Sequence, residues 1–232
     1  QLQLEQELEL SRVMTTLTLP IFMVCSAALY PIVGKLLDSF PINNVLCIGG
    51  LIYGLSLVSL YFTNNYLGFI LIFAVPLALG ASLFGNLSTS KLVSQWFNAQ
   101  TGRALGIAAV GVSFAGFVLP LMTQYLLMDI FSLSWREVYL SFGIFMIFVI
   151  TPLVWIGIIN HPKDVGQMPD GKPSVNDEVK EEEGKDWAIA MLLRDKNFWV
   201  LSFVFALQFS AMMAVLSHIT LYASEKGWAS QA

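Results

Sequence analysis

The groups that could do chemistry are distributed unusually in this chain: its 28 charged residues, 12 basic and 16 acidic, avoid six long apolar runs altogether. No Asp, Glu, Lys or Arg lies within 13–33, 45–62, 67–89, 104–128, 138–159 or 198–222. His218 is the one side chain inside them that titrates near neutral pH. An enzyme working inside these runs would need clustered acids, histidines or reactive cysteines, and none is present. Cys25 and Cys47 stand alone without metal-ligand spacing, so they read as small core residues, and neither a metal nor another cofactor is expected. The polar groups left within the runs are amides and hydroxyls, which can line a path for a solute or bond one helix to another.

The runs themselves set the class. A chain that is 56% hydrophobic and only 12% charged is far from a soluble domain, in which about a quarter of residues are charged. Runs of 18 to 25 residues are the length of helices that cross a bilayer, so the expected fold is all-α and multi-pass. Pro20 and Pro31 fall inside the first run, where neighbouring helices can accommodate them. Gly49, Gly50 and Gly54 give the second a face without bulk, suited to close approach by another helix. GKLLDSFPIN is expected to be a polar turn between the two. In the fourth run Gly106, Gly111 and Gly116 recur at intervals of five with Pro120 beyond, a pattern suited to tight, bent packing.

Between the fifth and sixth runs lies a hydrophilic connector, 160–197, holding 15 of the 28 charged residues. Its Pro162, Pro169, Gly171 and Pro173 argue against regular structure, and the stretch NDEVKEEEGK reads as a solvated linker. Toward its end Trp187, Met191 and Leu192, followed by Arg194 and Lys196, suggest an amphipathic helix at the interface near 186–196. With the connector in the cytoplasm that side carries nine basic residues against three, Arg12, Arg136 and Lys226, on the other. Residues 1–12 and 223–232 are then expected to be loops on the non-cytoplasmic side. No basic patch exists to bind nucleic acid.

Several stretches in order resemble the major facilitator superfamily, and within it the branch of monocarboxylate transporters and oxalate/formate antiporters. PIVGKLLDSF resembles the family's loop between its second and third helices through Gly34, Leu36 and Asp38. WFNAQTGRALGIAAVGVSFAG resembles the branch's entry into its fifth helix, and HPKDVGQMPDG the segment after its sixth. LLRDKNFWVLSF and LSHITLYASEKGWASQA are similar to its seventh helix and the approach to the eighth. The resemblance implies that 13–159 are five helices of an N-terminal half-bundle, 160–197 the connector between halves and 198–222 the first helix of the second half. The family's first helix and most of its C-terminal half would then lie outside this sequence.

What the resemblance implies about function is transport of a small organic anion across a plasma or cell inner membrane, as symporter or antiporter, with protons or a counter-substrate as coupling partner. Gly34, Asp38, Gly102 and Arg103 would belong to a cytoplasmic gate. Asn86, Gln124, Gln208, His218 and Tyr30 would be neutral walls of the substrate cavity, the cationic partners of the substrate coming from helices not in this sequence. The residues after Asp38 (Ser39, Phe40, Pro41, Ile42, Asn43, Asn44) lack the basic groups usual there, so an ion pair for Asp38 is not expected from its own loop. A helical membrane protein that senses or scaffolds without moving solute is the alternative reading.

Overall fold

The computed structural model describes residues 12–171 and 193–225, which fall in two compact units, 1–175 and 176–232. In the first unit α1 (Arg12–Ser39) and α2 (Ile42–Tyr61) are continuous helices. Helix α3 covers 66–84 and contains a π-helical segment, Phe73–Leu77, around Pro76. After a break at Gly85 comes α4 (Asn86–Trp96). Helix α5 (Thr101–Leu121) continues into a π-helical stretch, Met122–Ile130, and α6 (Trp135–Gly157) has a π segment at Met146–Ile150. The second unit contributes α7 (Lys196–Glu225), 30 residues long. Among the described residues five helices are long and apolar enough to cross a membrane. Helix α7 occupies the sixth expected span, beginning two residues earlier than the apolar run.

Three boundaries differ from the sequence reading, each for a local reason. The ten-residue turn GKLLDSFPIN shrinks to Phe40 and Pro41, because Lys35, Leu36 and Leu37 continue α1 and Pro41 stops it. The polar stretch after the third run is helix as far as Trp96. The connector's first part, far from irregular, forms two 3-10 turns, Pro162–Val165 and Pro169–Gly171, with Gly166 left-handed at φ 71°. Of the expected interfacial helix near 186–196 only the end is described: Leu193 and Arg194 form a turn, Asp195 is not helical and Lys196 opens α7, while the rest of it and the stretch NDEVKEEEGK lie outside the described residues. Of the expected loops 1–12 and 223–232, Arg12 and residues 223–225 are helical, and the remainder lies outside the described residues.

Two apolar cores hold the first unit together. Val33 and Leu37 of α1 pack with Ile42, Val45 and Leu46 of α2 and Leu83 of α3 toward the connector end. At the opposite end Leu57 and Leu60 meet Phe69, Leu77 and Trp135. There Phe22, Phe69, Phe73, Trp135 and Tyr139 form a chain of ring contacts at 4.7–6.5 Å. Because lipid tails are as apolar as leucine, contact between such helices relies on close fit. The glycines of α2 provide it as expected: a Cβ on Gly49 would stand 2.6 Å from that of Leu83, and one on Gly54 2.6 Å from Cγ1 of Ile147.

Helix α5 is the exception. None of its residues is buried, and Ile107, Val110, Phe114 and Phe117 are all at least 65% exposed. A Cβ on Gly106, Gly111 or Gly116, the glycines whose spacing suits tight, bent packing, would meet no atom of the described residues within 4 Å. Among the described residues, glycines in close contact with a neighbouring helix lie in α2, α3 and α6.

Candidate functional site

Polar contacts gather where α1, α2, α4, α5 and α6 end near the connector. Asp38, in the last turn of α1, accepts a 2.6 Å charged hydrogen bond from Lys91 Nζ of α4. The same ammonium donates to the carbonyl of Leu37 at 2.7 Å. Lys91 therefore neutralises the acid and caps the negative end of α1 together. This is the ion pair that Asp38's own loop could not supply. A sequence signal for it existed: Asp38 is the one acid between Glu9 and Asp129, and Lys91 the one cation between Lys35 and Arg103.

Beside that pair the segment following α6 folds back across the helix ends. The side-chain oxygen of Asn160 accepts from Asn43 N–H at 2.8 Å, capping the start of α2 from outside, while Asn43 Nδ2 donates to the Trp155 carbonyl at 3.1 Å. The Trp96 indole N–H donates to the Ile159 carbonyl at 3.0 Å. Asp170 then accepts from three successive backbone N–H groups at the entry to α5: Asn98 (3.1 Å) and Ala99 (2.8 Å) on Oδ2, and Gln100 (3.4 Å) on Oδ1. The stretches holding Trp96 and Asp170 stood out in the sequence, but the partners of Asn43, Trp96, Asn160 and Asp170 did not, since they are 63 to 117 positions away.

The other expected gate residues are less engaged. Arg103 sits exposed in the first turn of α5 with no hydrogen bond or ion pair among the described residues, so the structure does not join it to Asp38. Gly102 beside it, and Gly34 in α1, have open space around them. Of the five expected cavity residues, three lie in the first unit and two in the second. Tyr30 is exposed on α1. Asn86 is exposed as the first residue of α4, just after the extended backbone of Gly85, and no hydrogen bond links it to Tyr30. Gln124 lies on the π-helical stretch after α5 and Gln208 on α7, both exposed. His218 belongs to α7, but its side chain lies outside the described residues. Pro120 ends its helix one residue later, just before the chain widens into the π-helical stretch.

At the opposite end of the bundle a second cation repeats the capping logic. Arg136 donates to the carbonyls of Tyr61 (3.2 Å) and Thr63 at the end of α2, and its guanidinium lies 4.6 Å from the Trp135 ring centroid. Ser134 and Glu137 close a capping box on α6 below it. No group of three or more His, Cys, Asp or Glu among the described residues could hold a metal ion.

Long apolar helices, lipid-compatible outer faces and charges confined to the ends define a multi-pass integral membrane protein. The profile described as Major Facilitator Superfamily matches residues 1–232, and the chain belongs to that family. It is 26% identical over 151 residues to an uncharacterized MFS-type transporter, YcxA, of Bacillus subtilis, covering 65% of this chain and 36% of that protein. It is 29% identical to an MFS-type transporter of Gibberella moniliformis (59% of this chain, 32% of the relative). It is also 29% identical to the MFS transporter asaE of Aspergillus flavus (62% and 32%). The chain thus spans about a third of the length of the curated relatives it matches. No solved structure matches it significantly.

Proposed function

We propose that this chain works in a secondary active transporter that moves small organic anions, of the monocarboxylate or oxalate/formate kind, by alternating access. The observation that carries the transport reading is the family match over the whole chain, joined to a bundle in which the described contacts of Lys91 with Asp38 and of Arg136 with the Tyr61 carbonyl lie at its ends. Such a protein needs no bond chemistry: it needs a polar path between helices and a structure that opens to one side at a time. The anion preference rests on the resemblance of PIVGKLLDSF, WFNAQTGRALG and HPKDVGQMPDG to the anion-carrying branch. In this reading Asp38 with Lys91 and Arg103 belong to the gate on the connector side. Asn86, Gln124, Gln208, His218 and Tyr30 contribute neutral polar wall, and a proton or a counter-substrate couples the movement.

Uptake of radiolabelled lactate, formate and oxalate by the intact protein in proteoliposomes tests this. Saturable uptake of one of them, competed by unlabelled carboxylates and not by neutral analogues, is the expected result. Absence of uptake and of counterflow for all three would remove the anion assignment, and absence for a broad solute panel would favour a sensor or scaffold.

A further inference from the structure

The segment 158–171 leaves α6 as a strap, and Asp170 is where it closes. Asp170 adopts a left-handed backbone (φ 61°, ψ 10°), which glycine would adopt more easily, so the turn alone does not account for an aspartate there. Its carboxylate does: it is a pure acceptor, and it receives the N–H groups of Asn98, Ala99 and Gln100. Helix α5 has no side-chain cap of its own, because Gln100 at its N-cap makes none. An acceptor borrowed from about 70 residues away instead holds the turn 98–100 just before the helix, and its negative charge suits the positive end of the helix. Along the way the strap is fastened by Asn160 to α2 and by Ile159 to Trp96 of α4.

We propose that Asp170 is a positioning residue: its carboxylate clasps the 97–100 loop and sets where α5, with Arg103 in its first turn, begins against the rest of the bundle. The consequence for transport rests on the reading given above. A bundle that turns as one body needs the start of its least-packed helix fixed, and α5 has no buried residue to fix it. Loss of the clasp then slows the conformational step without changing solute binding.

Amide hydrogen exchange of the intact protein in lipid nanodiscs, for wild type, Asp170→Asn and Asp170→Ala, tests the clasp with no solute present. Because hydrogen bonds to charged groups are the stronger kind, exchange at residues 98–100 is expected to rise about tenfold or more in Asp170→Ala. Asp170→Asn, which keeps an acceptor oxygen but not the charge, is expected in between. Amides of Leu57–Leu60 in the apolar core should keep wild-type rates. Unchanged exchange at 98–100 in Asp170→Ala, or equal loosening of 57–60 in both variants, overturns the proposal. Once a transported solute is in hand, Asp170→Ala should lower turnover with KM within about twofold of wild type. A KM change exceeding the turnover change would make Asp170 a solute-binding group and overturn the positioning role.

Discussion

At the scale of single residues, the two partners of the Asp38–Lys91 ion pair are not equivalent. Asp38 is 78% exposed and Lys91 28%, so the ion pair by itself is a screened surface contact contributing about 0.2–1 kcal/mol. Lys91 also holds the Leu37 carbonyl, so Lys91→Ala removes a helix cap along with the pair, while Asp38→Asn removes the charge alone. Thermal unfolding in detergent should therefore show Asp38→Asn close to wild type and Lys91→Ala lower by a further ~1 kcal/mol. Equal losses would mean that the cap contributes nothing. In uptake assays Asp38→Asn is expected to lower transport at equal expression, with membrane insertion intact. His218 invites a separate experiment, as the one residue of the apolar runs that titrates near neutral pH. If it orders solute or a neighbouring helix, His218→Gln reduces pH-driven uptake and solute counterflow together. Counterflow that survives while pH-driven uptake vanishes would make it the coupling group.

At the scale of elements, the glycines separate into those the bundle uses and those it leaves open. A Cβ on Gly80 would fall 2.5 Å from the backbone N of Tyr53, an atom that cannot swing aside. Gly80→Leu should therefore force α2 and α3 apart and destabilise the protein by roughly 1–3 kcal/mol, read as a lower melting temperature. Gly106→Ala meets nothing among the described residues and should improve helix propensity by up to about 1 kcal/mol. A drop in melting temperature for Gly106→Ala would instead report a helix seated on that face of α5. The sequence displayed all these glycines equally, and only the partner distinguishes them. Helix positions and the packing face of α2 were legible because apolar runs and clustered small residues are local signals. The bonds of Asn160 and Asp170 were not, because they join residues 70 to 117 positions apart, and Lys91 was legible only as the one cation between Lys35 and Arg103. The π segments were half legible: Pro76 and Pro152 lie within or just after two of them, where the ring excludes the normal i−4 carbonyl geometry.

At the scale of the molecule, the bundle is fastened twice, by Lys91 and the strap at one end and by Arg136 and the Ser134 capping box at the other. Polar fastening is confined to the ends because there water and headgroups stabilise charge, whereas a charge at mid-bilayer is expensive. Between the ends, fit alone holds α1, α2, α3 and α6 together, and α5 stands exposed beside them. An odd number of crossings separates the two fastened ends whichever helix one follows. Asn64 and Ser132 must then face one side of the membrane, and Lys163 the other. The excess of basic residues around the connector is the ground on which we propose that Lys163 faces the cytoplasm. Single cysteines at 64, 132 and 163, on a background with Cys25 and Cys47 replaced, should label accordingly with an impermeant maleimide on intact cells: 64 and 132 react, 163 only after permeabilisation. A cysteine at Ser224 extends the test to α7, which at 30 residues is about 45 Å long and able to span the bilayer. If α7 crosses, 224 reacts with 64 and 132. If 224 is protected with 163, α7 lies on the cytoplasmic surface, and the even number of crossings on which the orientation of both chain ends depends is wrong.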